Sequence, residues 1–275
     1  LNVEFEIIFV NDGSNDLSWT KIKELISLSN NLIAINLTRN FGQDNALMAG
    51  LRESKGLNII IMDDDLQHSP KDFKVLLEGI DEDNDVCFGS YTQREDSITK
   101  RLGSSFNSLC ANLLIKKPKD LYLSPFKALK KTIRDEIILY DGPYPYVDGL
   151  ILQATKKLNQ KDVSHSPRYT GKSSYNVIKS ISVWLKLATN FSLLPLRIAT
   201  FLGILTSFFA FLLSCFFLLE YFFGNPPPAG WQSAVLIVLF LGGIQLLSLG
   251  IIGEYLGRVF SVSNKNAQYL IKEKI

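Results

Sequence analysis

LNIIIMDDDLQHSP, residues 57 to 70, joins an apolar run to three consecutive carboxylates and a Ser-Pro turn. Ile59, Ile60, Ile61 and Met62 show no polar alternation, as expected of a strand buried on both faces in a parallel α/β sheet. Asp63, Asp64 and Asp65 come at its end. On extended backbone, side chains two apart share a face, so Asp63 and Asp65 would lie within about 7 Å and repel each other. A hard divalent cation relieves that repulsion, because it takes carboxylate oxygens and leaves positions open for phosphate. The plainer alternative is a charged loop whose aspartates cap a helix starting near Pro70, and the triplet alone does not decide between them.

The flanking sequence alternates between strand-like and helical runs. Glu4 to Val10 predicts a strand, closed by the turn residues Asn11 to Asp16. Asp16 can cap a helix carrying Leu17, Ile22, Leu25 and Ile26, and Leu32 to Leu37 predicts a second strand. A short helix over Ala46 to Leu51, a helix from Asp72 to Ile80 and a strand at Val86 to Phe88 follow. This repeat implies right-handed crossovers and a mostly parallel sheet, with ligands bound beyond the carboxyl ends of the strands. Both NDGS and DDD fall there.

Composition narrows the function classes. With 29 basic and 27 acidic residues the net charge is +2, which does not favour nucleic acid as a partner. The three cysteines, Cys87, Cys110 and Cys215, have no metal-like spacing and predict buried thiols rather than disulfides. Neither the G-x-G-x-x-G nor the P-loop signature occurs, which disfavours the common NAD and ATP folds. Gln67 and His68 stand where an EF-hand loop needs a further acid or amide and then a glycine. Mg2+ or Mn2+ joining the carboxylates to a nucleotide diphosphate fits the acidic strand end better.

Together, FVNDGSND, TRNFGQDNALMAGL and MDDDLQHSP resemble glycosyltransferase family 2. The resemblance implies a nucleotide-sugar-binding fold of the GT-A type, a DXD-like aspartate motif and metal-dependent sugar transfer. By the same resemblance Asn11, Asp12, Gly13, Arg39, Asn40, Asp63 and Asp64 are expected around the donor. Asp63 and Asp65, with Gln67, are expected on the metal. Asn11 departs from the commoner aspartate. The family's Pro-x-x-Asn-Glu strand, which precedes this point and walls the base pocket, is not in the sequence, and the expectation is a truncated N-terminal record. Ser124, Phe126 and Lys127 resemble a Ser-x-Phe-Arg loop, and Asp148 lies where some members keep a catalytic acid, although a helix cap also explains it.

Acceptor contacts are expected from two basic segments. Arg101 and Ser105 lie one helical turn apart. Arg168, Gly171, Lys172 and Tyr175 resemble a loop of membrane-bound members, and Arg168 and Lys172 offer donors and positive charge to phosphate oxygens. The expected domains are a cytoplasmic transferase domain over residues 1–173, interface helices over 174–196, a two-helix transmembrane hairpin over 197–257 and a cytoplasmic tail over 258–275. Val177, Ile181, Trp184, Leu185 and Ala188 make the interface face amphipathic.

Ile198 to Leu219 is uncharged over about 22 residues, or ~33 Å as a helix, enough to cross a bilayer. Trp231 to Gly253 is a second uncharged run after a connection with three prolines. Lys179, Lys186 and Arg197 precede the first run, Arg258, Lys265, Lys272 and Lys274 follow the second, and the connection has no Lys or Arg. The positive-inside rule puts both termini on the cytoplasmic side of the inner membrane. Gln245 and Glu254 can pair within the hairpin or across a homo-oligomer. Gly242 to Gln245 and Gly250 to Arg258 resemble the ends of bacterial polyprenyl-phosphate glycosyltransferases, such as bactoprenol glucosyltransferases. The implied reaction is inverting transfer from a nucleotide-sugar, a UDP-sugar favoured, to polyprenyl (undecaprenyl) phosphate for cell-envelope glycan modification. A processive polysaccharide synthase would need a Gln-x-x-Arg-Trp motif, which is absent. A non-catalytic membrane scaffold would tolerate the missing strand and Asn11.

Overall fold

Two separate sheets carry the acidic strand end and its surroundings. The computed structural model describes residues 4–91, 118, 121–164, 194–223, 230–264 and 267–275. The chain divides into two compact units, Leu1–Trp184 with Ser261–Ile275, and Leu185–Phe260.

In the first unit β1 (Ile7–Asn11) leads through α1 (Ser18–Ile26) to β2 (Leu32–Leu37), and α2 (Gln43–Glu53) leads to β3 (Asn58–Ile61). Leu17, not Asp16, occupies the cap position of α1, and Asp16 instead forms an Asx turn just before it, accepting from Ser18 N at 2.9 Å. A 3-10 turn at Pro70–Asp72 precedes α3 (Phe73–Glu78), and Ser69 Oγ accepts from Lys71 N at 3.3 Å. A serine cap before a proline with preset φ is a strong helix start. β4 (Val86–Ser90), β5 (Lys127–Lys130), α4 (Lys131–Ile137), α5 (Val147–Ala154) and β6 (Leu158–Asp162) follow.

The strand orders are β1-β2-β7 and β3-β5-β4-β6, where β7 is Ile271–Lys274. β1 and β2 are parallel, as are β4 and β6, while β5 is antiparallel to both β3 and β4 and β7 is antiparallel to β2. β3, β4 and β6 therefore share one direction, and each sheet contains one reversed strand. The expected mostly parallel sheet is instead two mixed sheets among the described residues, with two parallel and three antiparallel pairings, because two short strands whose sequences, KALK and IKEK, show no strand-like apolar run are inserted in reverse. β7 is an edge strand of charged residues, a composition that discourages further pairing.

Two apolar clusters lie against these sheets. Leu76, Cys87, Phe126, Ala128 and Val163 form one, with Ile60 and Phe73 packed on it. Ile35, Leu37 and Ala49 form the other, with Val10, Phe41 and Tyr269 alongside. Ile59 and Ile61 are buried and Ile60 is half-buried against the first cluster, so β3 is covered on both faces. Burial pushes the Cys87 thiol up to about 11, which makes it a packing group rather than a nucleophile.

The second unit contains α6 (Leu194–Phe222) and α7 (Trp231–Ser263), both long and apolar enough to cross a membrane. Their most apolar windows have mean hydropathies of 2.0 and 1.3 and are 6% and 0% buried. Apolar helices that leave their side chains uncovered need an apolar surrounding. The segment expected as a tail over 258–275 is divided: α7 continues to Ser263, and residues 271–274 become β7 of the first unit. Positions 174–193, which include the expected interface helix, lie outside the described residues.

Candidate active site

Past the end of β3 the backbone bends over Asp64–Leu66, and burial still alternates along residues 62–67. Asp63, Asp65 and Gln67 are half-buried, whereas Met62, Asp64 and Leu66 are exposed. Asp63 and Asp65 thus share the covered side, as strand periodicity predicts, and Asp64 faces water. Asp65 Oδ1 accepts from Gln67 N at 3.2 Å in an Asx-type turn, with Leu66 at φ 61°. A branched side chain in the left-handed region is strained and marks a loop held in shape by its surroundings.

Asp63 Oδ1 accepts from Gln43 Nε2 at 2.8 Å, which ties the first turn of α2 to the acidic end of β3. Burial pushes the Asp63 carboxyl above the usual aspartate range and the Asp65 charge adds to the effect, while His68 and Lys127 oppose it. A carboxyl raised in the folded state contributes nothing below its unfolded pKa and costs stability above its folded one. Without divalent cation, Asp63→Asn is therefore expected to raise the thermal midpoint at pH 7 by about 2 °C. The gain should shrink as pH falls through the raised value, and an equal gain at all pH values would refute the cause.

The β1 end is built by close contact with the loop before α2. Gly13 has φ 68°, and a Cβ there would stand 2.4 Å from the Arg39 carbonyl carbon and 2.5 Å from Asn40 N, so only glycine lets the two loops meet. The Asp12 carboxylate accepts from Phe41 N at 2.7 Å and Gly42 N at 2.9 Å. The Arg39 guanidinium lies 4.8 Å from the Phe41 ring centroid. Asp12, Gly13, Arg39 and Asn40, expected around the donor, are thus brought together at one strand edge. Asn11 is 5% exposed and points sideways, donating Nδ2 to Oδ1 of Asn36, its register partner on β2, at 2.8 Å. The amide at position 11 makes a neutral buried pair in which an aspartate would bring a charge.

Behind Asp63 sits an ion pair. Lys127, with its side chain 3% exposed, bonds to Asp148 in the first turn of α5, and its Nζ is 5.4 Å from the Phe88 ring centroid. Asp148 is therefore not the cap of α5. That part is taken by Asp44 of α2, whose Oδ1 accepts from Val147 N at 3.0 Å. His68 is buried, stacked on Phe126 at 4.9 Å, with Nδ1 3.2 Å from Tyr91 Oη, which in turn is 3.0 Å from Ser124 Oγ.

Gln43, Asp44, Tyr91 and the pairing of Lys127 with Asp148 escaped the sequence reading, because polar residues inside helix or strand patterns carry no local signal of a partner far away in the chain. Arg101, Ser105, Arg168 and Lys172 lie outside the described residues, so the expected acceptor contacts have no geometry here. Among the described residues no group of three or more His, Cys, Asp or Glu side chains is arranged to hold a metal.

Residues 1–142 match the profile of Glycosyl transferase family 2, which is more than half of the chain. The chain belongs to glycosyltransferase family 2. The fold is of the GT-A type, and the acidic end of β3 with the Asp12 loop is its candidate active site. Similarity to individual members extends beyond the matched residues. The bactoprenol glucosyl transferase of Shigella phage SfX is 29% identical, over 98% of this chain and 89% of that protein. The putative glycosyltransferase CsbB of Bacillus subtilis is 31% identical, over 99% of this chain and 83% of that protein. The prophage bactoprenol glucosyl transferase homolog of Escherichia coli K12 is 30% identical, over 98% and 88%.

Proposed function

We propose that this transferase moves a sugar from a nucleotide-sugar, with a UDP-sugar the favoured donor, to a polyprenyl phosphate, inverting the anomeric carbon. The product is a polyprenyl-phosphate-linked sugar made at the cytoplasmic face of the membrane for cell-envelope glycan modification. What carries the proposal is the joining, in one chain, of the Asp63–Asp65 strand end to two apolar helices, over the same length on which the chain resembles bactoprenol glucosyl transferases. The first unit holds the chain on both sides of the helical unit, which supports an even number of crossings. With no Lys or Arg in the connection and basic residues on both flanks, the charge bias supports cytoplasmic termini.

The residues that would hold a cation are Asp63, Asp65 and Gln67, whose carboxylate and amide oxygens are of the type that suits Mg2+ or Mn2+. Two carboxylates that repel each other would be relieved by such a cation. When bound, such a cation supplies positive charge to the leaving diphosphate.

The chain's own residues do the rest. Asp12 and Gly13 shape the loop over which the nucleotide would lie. A lipid phosphate has a second pKa near 6, so its attacking oxygen is largely ionised at pH 7 and needs no strong base. As that oxygen bonds to the anomeric carbon, the bond to the nucleotide diphosphate breaks and its electron pair leaves with the diphosphate. Arg101, Arg168 and Lys172 would offset the charge of the incoming phosphate. Asp148, held in an ion pair by Lys127, is the residue we assign to the acceptor side.

The test is incubation of membranes containing the chain with radiolabelled UDP- and GDP-sugars and polyprenyl phosphate, with and without EDTA, followed by lipid extraction. Label in the lipid from a UDP-sugar, lost with EDTA, is the expected result. No labelled lipid from any donor would overturn the proposal and favour a scaffold.

A further inference from the structure

Residues 268–275 follow the second apolar helix in sequence, yet they fold into the unit that carries the aspartates. Backbone pairing with β2 runs past the ends of β7. Ala34 N–H donates to Ile275 O at 2.9 Å, Ile275 N–H to Ala34 O at 3.0 Å, and Thr38 N–H to Leu270 O at 2.9 Å. Glu273 accepts from Trp19 Nε1 and Lys23 Nζ at 2.9 Å each, and Lys274 pairs with Glu53.

Two contacts reach beyond the strand. Gln268, 5% exposed, donates Nε2 to Gly142 O at 2.8 Å. Arg52, in the last turn of α2, lies 5.4 Å from the Tyr269 ring centroid, donates to Tyr269 Oη at 3.2 Å and donates to Tyr140 O at 3.0 Å. Both contacts hold the connection between α4 and α5 at its beginning. Its end is held by Asp44, which accepts from Val147 N, and Asp148 is the next residue. One helix, α2, thus carries Arg52 at its C-terminal end and, at its N-terminal end, Gln43 on Asp63 and Asp44 on α5.

We propose that the segment after the second apolar helix is a positioning element of the active site: Gln268 and Tyr269, through Gly142 and Arg52, fix the connection that sets Asp148 at the start of α5. Only the kinetic consequence rests on the transferase reading. Hydrogen bonds to a buried carbonyl and a tyrosine packed against Ile35, Leu37 and Ala49 leave the segment little freedom.

The full-length chain in lipid nanodiscs tests this by hydrogen exchange. Gln268→Ala removes the donor, and Gln268→Glu keeps the shape while turning an acceptor toward the Gly142 carbonyl. Both are expected to speed exchange of amides in residues 143–152 by about fivefold, the scale of one lost hydrogen bond. Amides of Leu32–Leu37 should stay protected, because the β7 backbone ladder remains. In the transfer assay kcat should fall about tenfold with the donor KM within about twofold, the pattern of a displaced group rather than a lost binding contact. Unchanged exchange at 143–152 in either variant would overturn the proposal. Equal loss of protection at Leu32–Leu37 would overturn it too, in favour of a strand that only stabilises the sheet. Exchange is read whether or not sugar is transferred, so a failure of the transferase reading shows separately, as wild-type chain that labels no lipid.

Discussion

Asp65→Ala is expected to fold like the wild-type chain and to lose sugar transfer by about 10²–10³-fold, the scale on which a single charge-stabilising group contributes. Folding should survive because the Asp65 side chain is only half-buried and its bond to Gln67 N closes a local turn. Removing it also removes one of the influences that hold the Asp63 carboxyl up, so the apo chain gains rather than loses from the change. Loss of transfer would then reflect missing charge at the donor diphosphate. Asp64→Ala is the comparison: its side chain is exposed, and its transfer is expected to fall far less than that of Asp65→Ala. The comparison needs a folding check by thermal unfolding and the lipid-extraction assay. Wild-type-like transfer by Asp65→Ala would sink the assignment of that carboxylate to a cation.

That Asp63 and Asp65 share a face was legible before any coordinates from strand periodicity, whereas the resemblance put Asp64 beside them around the donor. β1 to β4 were legible as well, since an unalternated apolar run bounded by turn residues has few other outcomes. β5 and β7 were not. Lys127 and Lys130 interrupt the first, and IKEK in the second has the composition of an exposed segment, so nothing local distinguishes either from a loop. Their partners do: β5 is sandwiched between β3 and β4, and β7 closes the edge of β2. The site divides in the same way. Motif spacing found Asp12, Gly13, Asp63 and Asp65, whose places follow from strand ends. Gln43 and Asp44 sit at the start of a helix, and only the packing of α2 against β1 and α5 shows that they reach Asp63 and Val147. The single glycine at φ 68° in NDGS was visible as a turn, but its close approach to Arg39 and Asn40 is tertiary.

Lys127→Met is expected to destabilise the first unit by about 3 kcal/mol, the lower end for breaking a buried ion pair. The magnitude follows from the asymmetry of the pair: the Lys127 side chain is 3% exposed and that of Asp148 is 17% exposed, so the orphaned carboxylate regains only a little water. Methionine fills most of the volume and keeps the contact with Phe88, which isolates the charge from the packing. The change also removes a positive charge that favours ionised Asp63, so that carboxyl should move further upward and hold a divalent cation less well. Lys127→Met together with Asp148→Leu removes both charges and should recover stability to within about 1 kcal/mol of wild type, because no lone ion is left in the interior. Transfer should not recover with it. If Lys127 and Asp148 serve only to hold α5 against β5, the double variant will regain activity along with its thermal midpoint. If Asp148 acts on the acceptor side, the double variant will be stable and inactive, and denaturant unfolding measured beside the lipid-transfer assay separates the two outcomes.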